Sequence, residues 1–213
     1  TEKTCVFYSP TGNLSYYNLA NGQLKSKLAI TQGLEQCTLY NNNIIFAGVR
    51  DNFIYLTNAY KGDSISKVSA KSPIILSNTK DNNLYYLEND GRGNYELKML
   101  ESLENQTVSN PRIVKTLKGP RGAAEICVAV KNGNEIILGG KNGNIYKIDA
   151  DPSITSSNIT QITDNTYSKI YDICASNSDF YFLTKNAIFK SSYDTGVVDK
   201  LASTNNQTNI LQV

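Results

Sequence analysis

The sequence predicts an all-β fold made of repeated four-stranded antiparallel units, and three observations support this prediction. Two short sequence landmarks recur along the chain at a nearly constant spacing. Asn-Gly and similar turn pairs separate short apolar runs, and this is a strong signal of β-hairpins because the turn residues must tolerate positive φ. No stretch of ten or more residues has the apolar period of a helix.

Residues 135–149 (EIILGGKNGNIYKID) show the repeated hairpin most clearly. Residues 136–138 are predicted to form one strand, residues 141–144 a tight turn, and residues 145–148 the return strand. The first of these strands is a continuous apolar run rather than an alternation. Such a run is typical of a strand that is buried on both faces, as a strand between two neighbouring sheets would be.

The first landmark is a turn Asn that is followed by apolar and aromatic residues. It occurs at Asn13, Asn52, Asn94, Asn144 and Asn186, which are 39, 42, 50 and 42 residues apart. Repeats of about 40–45 residues are typical of propeller blades.

The second landmark precedes each hairpin and consists of an acidic or hydroxyl residue, one spacer and a residue of the buried type. Its five occurrences begin at Glu35, Ser72, Glu125, Asp172 and Thr208. Because two independent landmarks keep the same order through five units, we predict a five-bladed β-propeller with four-stranded antiparallel blades.

The predicted propeller is a single domain that covers residues 1–213. Its blades are residues 1–30 plus 208–213, residues 35–70, residues 72–120, residues 125–165 and residues 172–203. The first blade begins at its second strand, so we expect residues 210–213 at the C-terminus to supply the missing inner strand. This closure would leave no open sheet edge, which would otherwise be an aggregation site. The alternative is that the chain is a segment of a larger propeller.

Composition excludes several classes of function. The chain has 21 basic and 19 acidic residues, and this near balance does not suit a nucleic-acid partner. No apolar run of about 18 residues occurs, so no membrane insertion is expected. Histidine is absent, which excludes Ser-His-Asp and Cys-His catalysis and histidine metal ligands.

Four cysteines are widely separated, and Cys37, Cys127 and Cys174 fall at one repeat position. A structural position for a small apolar residue explains this recurrence better than disulfide pairing does. We therefore expect reduced, buried thiols and a cytoplasmic or nuclear location. The alternative is a secreted or cell-surface protein whose signal peptide has been removed.

Three segments, GGKNGNIYKIDADPS, AGVRDNFIYLTNAYKG and YSPTGNLSYYNLANG, resemble the repeats of WD40-type and PQQ-type propellers. Those families share a strand that ends in a small residue, a turn, a return strand and a Gly turn. In this chain Gly22, Gly62 and Gly196 stand at the Gly-turn positions, whereas the fourth unit has Asp151-Pro152 there. The chain lacks tryptophan and histidine, so the WD dipeptide, the docking tryptophan and the Gly-His motif are missing. The resemblance implies the fold and no cofactor site. Since most WD40-type propellers are scaffolds, it also implies a non-catalytic interaction module.

The candidate contact surface is the rim at which the inner strand of each blade begins. A peptide or protein partner is expected to bind there, although these residues could equally be solvated strand ends. The candidate partner-binding residues are Glu35, Lys71, Ser72, Arg121, Glu125 and Asp172.

Two other functions remain open at this point. A lectin would use repeated Asn and Tyr residues such as Asn52 and Tyr55, or Asn144 and Tyr146, whereas the structural alternative is that the Tyr packs between blades and the Asn makes the turn. A glycoside hydrolase would need two carboxylates roughly 5–10 Å apart in the channel. Glu35, Glu125 and Asp172 could supply them, but the lack of tryptophan makes an enzyme the less favoured interpretation.

Overall fold

The computed structural model describes residues 4–40, 45–77, 83–90, 92–101, 110–118, 126–149, 151, 153, 156–163, 167–176, 178–193 and 197–203. Within these ranges every regular element is a β-strand, so the all-β prediction is confirmed. The same residues contain no helix long and apolar enough to cross a membrane.

Twenty strands follow one another in the described residues. They are β1 (Thr4–Ser9), β2 (Asn13–Asn18), β3 (Leu24–Ala29), β4 (Gln36–Tyr40), β5 (Ile45–Arg50), β6 (Phe53–Asn58), β7 (Ser64–Ser69), β8 (Ile74–Ser77), β9 (Leu84–Asn89), β10 (Asn94–Leu100), β11 (Arg112–Lys118), β12 (Ile126–Asn132), β13 (Glu135–Gly140), β14 (Ile145–Asp149), β15 (Ser156–Asn158), β16 (Thr160–Gln161), β17 (Asp172–Ala175), β18 (Asp179–Leu183), β19 (Ala187–Ser192) and β20 (Val198–Ser203). Three sheets are simple antiparallel meanders, ordered β1-β2-β3, β4-β5-β6-β7 and β17-β18-β19-β20.

The third and fourth predicted units share one nine-stranded sheet, ordered β15-β11-β10-β9-β8-β12-β13-β14-β16. The two units meet where β8 and β12 pair in parallel, with Leu76 opposite Ala129 and Ser77 opposite Val130. After β14 the chain first adds β15 to the outer edge of β11 and then returns to pair β16 with β14. Sequence patterns did not reveal this joining, because it depends on two strand edges that are distant along the chain.

The inner strands of consecutive units lie side by side. β4 contacts β8, β8 pairs with β12, and β12 contacts β17. The units therefore fan out from a common centre in the order in which they occur along the chain. Residues 208–213, including the predicted closing strand 210–213, lie outside the described residues.

Four hydrophobic clusters fill the spaces between consecutive units. Strand β13 shows how one strand serves two of them. Ile136 and Leu138 pack toward the β8–β11 unit, whereas Ile137 packs toward the last sheet. This alternation explains why residues 136–138 are all apolar, and complete burial of each such side chain contributes about 1.5–3 kcal/mol.

The turns between the third and fourth strands of the first two units have the same geometry. Gly22 and Gly62 have φ of 68° and 75°. Each donates its backbone N–H to the carbonyl four residues earlier, Asn18 or Asn58, at 2.8 Å. The predicted Gly turns are thus confirmed at these two positions, because an L side chain is disfavoured at such φ. Gly196 lies outside the described residues.

None of the four cysteines, all of which lie within the described residues, forms a disulfide, and each is half-buried rather than fully buried. Cys127 donates its S–H to the carbonyls of Gly139 and Ile170 at 3.4 and 3.1 Å. Burial raises the pKa of the Cys37 thiol to about 12, so this thiol stays protonated at neutral pH.

Candidate partner-binding rim

The hairpin turns after β1 and β5 lie at the same end of their sheets as the connections that lead into the next unit. In the second sheet, the backbone N–H of Ala70 donates to the Asn52 carbonyl at 2.9 Å, and the N–H of Ser72 donates to Asn52 Oδ1 at 3.0 Å. In the first sheet, the N–H of Ile30 donates to the Gly12 carbonyl at 2.6 Å. We call this end, formed by the turns after β1, β5 and β13 and by the connections into β4, β8 and β17, the turn rim.

Three predicted residues surround the turn between β5 and β6 on the turn rim. Glu35, Lys71 and Ser72 all have exposed side chains. The backbone N–H of Glu35 donates to the Val49 carbonyl at 2.8 Å, which ties the connection before β4 to the end of β5. The structure therefore brings these three together at the second sheet.

Backbone geometry at this turn is held by side-chain contacts. Asp51 and Ser72 have positive φ, 54° and 45°, which non-glycine residues seldom adopt. The Asn52 side chain stabilises the Ser72 position by accepting its N–H. Asp is one of the few non-glycine residues that reach positive φ readily, which suits Asp51 to this turn.

Asp172 differs from the exposed rim residues. It opens β17 and is half-buried, and its Oδ1 accepts the N–H of Ile173 at 2.8 Å. Burial raises the pKa of Asp172 to about 6, and the hydrogen bond from Ile173 only partly opposes this effect. A buried carboxyl of this kind is a poor first contact for a partner, because its charged form has already lost much of its hydration. Arg121 and Glu125 lie outside the described residues.

The centre of the molecule contains a residue that sequence analysis did not select. The Gln36 side chain donates through Nε2 to the Cys127 carbonyl at 2.6 Å and accepts the Ile75 N–H through Oε1 at 3.0 Å. One amide group thus joins the inner strands β4, β8 and β12. The only signal in the sequence was a polar spacer in the second landmark, where three other units have Pro or Ile and the last has Asn209.

Three further residues that sequence analysis did not select, Arg50, Phe53 and Lys67, surround Tyr55 on the second sheet near the turn rim. Arg50 donates from its guanidinium to the Tyr55 hydroxyl at 3.1 Å, and Lys67 lies over the Phe53 ring at 3.6 Å from Nζ to the ring centroid. The strand register could have indicated this group, because Arg50 pairs with Phe53 and Tyr55 pairs with Lys67.

Tyrosines considered for a lectin site are not equivalent in the structure. Tyr146 is only 2% exposed, and its hydroxyl accepts the side-chain amides of Asn142 and Asn144 at 3.1 and 3.4 Å. It packs between units, as the structural alternative predicts. Tyr55 is half-buried, and its hydroxyl is already engaged by Arg50. The two sites therefore do not repeat one sugar-stacking arrangement.

Comparison with known proteins supports the architecture. No curated protein matches the sequence significantly. A solved structure from Agrobacterium tumefaciens, described as TolB, has a similar fold, with a TM-score of 0.61 and 14% sequence identity over 95% of this chain and 81% of that chain. At this identity the likeness shows the fold alone. Residues 1–160 match the model of the TP_0598_N family, an N-terminal beta-propeller domain. Because this match covers more than half of the sequence, the predicted propeller fold is confirmed, and the chain belongs to the TP_0598_N family of N-terminal beta-propeller domains.

Proposed function

We propose that this propeller is a non-catalytic scaffold that binds a protein or peptide partner on its turn rim. The observation that supports this proposal is the exposed group formed by Glu35, Lys71 and Ser72 around a turn whose backbone is fixed from both sides. A rigid scaffold that presents polar loop side chains can bind with little loss of conformational entropy.

Charge reversal on the rim tests this function. In the double variant Glu35→Lys with Lys71→Glu, the net charge is unchanged but the local pattern is inverted. The matched control reverses Lys61 and Asp63, which are exposed on the same sheet at the opposite end. Affinity purification with mass spectrometry should show that partners bound by the wild type and the control variant are lost from the rim variant.

The same partner set from all three proteins would reject binding at the turn rim. Asp172 is kept out of this test because a lysine at that half-buried position would disturb the fold. The non-catalytic part of the proposal has its own test, since hydrolysis of any chromogenic glycoside in a panel would contradict it.

We further propose that the ring has five blades and that residues 210–213 complete the first one by pairing with β1. The three-stranded first sheet supports this, because every other unit has at least four strands. Hydrogen exchange should then accelerate at alternate amides of β1 when residues 208–213 are deleted. Unchanged exchange in β1 would favour a different closure.

A further inference from the structure

Four side chains on the second sheet form a group that we call the cationic notch: Arg50, Phe53, Tyr55 and Lys67. Arg50 lies opposite Phe53 in the β5–β6 register, and Tyr55 lies opposite Lys67 in the β6–β7 register. Opposite residues in a sheet point to the same face, and so do Phe53 and Tyr55, which are two residues apart on β6. All four side chains therefore share one face.

The notch lies on the face that the second sheet turns toward the first. Phe46, two pairs further along the same face, packs in the cluster shared with the first sheet. Gly48 lies opposite Tyr55, and Leu34 of the connecting segment occupies the space that a side chain at Gly48 would need. The inner half of this face is therefore covered, whereas Lys67 in the outer half is exposed.

Two cations lie against two aromatic rings in the notch. Lys67 Nζ is 3.6 Å from the centroid of Phe53 and 5.3 Å from that of Tyr55. The Arg50 guanidinium carbon is 5.1 Å from the Tyr55 centroid. Cation–π contacts at these distances hold the long side chains in place, so less conformational freedom is lost when a ligand binds.

Arg50 is anchored and cannot readily leave. One terminal nitrogen donates to the Gln32 carbonyl at 3.0 Å, and the other donates to the Tyr55 hydroxyl at 3.1 Å. Its Nε lies 3.9 Å from Asp51 Oδ2, too far for a hydrogen bond, and this buried N–H has no hydrogen-bond acceptor within the described residues. The guanidinium charge is therefore only partly compensated.

The donors that remain are the Tyr55 O–H and the Lys67 ammonium. Because the Tyr55 oxygen accepts from Arg50, its own proton is available to another acceptor. In the part of the chain that the structure describes, Lys67 has no ion pair with a carboxylate. Burial acts to raise the pKa of Tyr55, but the hydrogen bonds and charges of Arg50 and Lys67 outweigh it and lower that pKa. The local field thus favours negative charge.

We propose that the cationic notch binds a carboxylate from an acidic segment of a protein partner, with one oxygen accepting from the Tyr55 hydroxyl and the other from Lys67. Arg50 orients the hydroxyl and adds positive charge. A carboxylate fits better than a phosphate, because the Arg50 fork that would grip a phosphate is already used on Gln32 and Tyr55. This inference rests on the proposed function and names the chemistry of the partner.

Fluorescence anisotropy with a labelled glutamate-rich peptide tests the notch directly, with the matched glutamine-rich peptide as the control probe. The wild type should bind the first peptide and not the second. Tyr55→Phe and Lys67→Met should each weaken binding by roughly tenfold, as expected for one lost charge-assisted hydrogen bond. Lys200→Met removes an exposed lysine of β20 and should leave the affinity unchanged.

Three outcomes would overturn the proposal: no binding of the glutamate-rich peptide, equal weakening by Lys67→Met and Lys200→Met, or stronger competition by inorganic phosphate than by acetate. Lys67→Glu should bind a lysine-rich peptide instead, a result that misfolding would not produce. Failure of the notch can be told from failure of the proposed function, because the rim variants are tested by partner recovery from whole extracts and not with this probe.

Discussion

Two interfaces between consecutive units differ in the size of their hydrophobic core. One lies between the first two sheets, and the other lies between the two halves of the nine-stranded sheet. Within the described residues, the first is built on four buried side chains, Leu14, Tyr16, Phe46 and Ala59. The other, between β8–β11 and β12–β14, has fifteen. We call them the thin interface and the thick interface.

Hydroxyl groups reinforce the thin interface. The Tyr16 hydroxyl donates to the Ala59 carbonyl, and the Tyr8 hydroxyl donates to the Thr31 carbonyl at 3.1 Å while it accepts the Leu34 N–H at 2.9 Å. In the thick interface, apolar packing encloses even a lysine, since Lys115 is 1% exposed and reaches the Asp149 carbonyl at 2.6 Å. The contrast teaches that beside the small core Arg50 and Lys67 stay partly hydrated, whereas the large core encloses Lys115.

The largest expected effect is at the centre of each interface. Leu138 and Leu14 are both fully buried. Leu138→Ala should lower the free energy of unfolding by about 4 kcal/mol, and Leu14→Ala by about 2–3 kcal/mol, because a smaller cluster can relax around the cavity. Urea denaturation followed by circular dichroism measures both. Equal losses would show that the two interfaces do not differ in rigidity.

Lys115 tests whether the thick interface uses its buried charge or only its buried carbon chain. Lys115→Ala removes both and should cost about 2–3 kcal/mol of unfolding free energy. Lys115→Met keeps the unbranched apolar stem without the charge, and replacement of a buried ion by an apolar group is often neutral or stabilising. A loss with Met as large as the loss with Ala would mean that the hydrogen bond to the Asp149 carbonyl dominates.

Asp172, at the start of β17, extends the comparison to the last sheet. The pKa of Asp172 is about 6 in the folded protein, above its ordinary value of 3.8. The folded state therefore binds the proton more tightly than the unfolded state, and this contribution to stability is lost as pH rises from about 4 to about 6. Asp172→Asn keeps Oδ1 for the Ile173 N–H and should be more stable than the wild type at pH 7 by about 2 kcal/mol. If the free energy of unfolding changes with pH in the same way for the wild type and for Asp172→Asn between pH 4 and pH 7, the burial of this carboxyl is contradicted.

The smallest expected effect is the loss of one hydroxyl from the thin interface. Tyr8→Phe leaves the Leu34 N–H without its acceptor and should cost about 1 kcal/mol. The control is Tyr17→Phe on the same sheet, which should change the unfolding midpoint little. Indistinguishable midpoints for the two variants would show that water replaces the Tyr8 bond without cost.

Local features of this fold could be predicted from the sequence, whereas contacts between distant segments could not. The hairpin turn after Gly139 and the Gly turns at 22 and 62 depend on a few neighbouring residues, and the repeat spacing shows where they recur. The bridge made by Gln36 joins residues 39 and 91 positions away, and no local pattern specifies it. The exposed positions of Glu35 and Lys71 were predicted from the repeat, but the burial of Asp172 depends on packing that only the folded structure reveals.

The parallel pairing of β8 with β12 has a consequence for how the molecule opens. This pairing joins the third and fourth units in one hydrogen-bonded sheet. The two units should therefore unfold and refold as one cooperative unit rather than independently. Strand β15, which follows β14 along the chain, pairs in parallel with the outer strand β11 and so connects the same two repeats a second time. Thermal opening should therefore begin in the first and last sheets and spare this central pair, on which the other repeats can then refold.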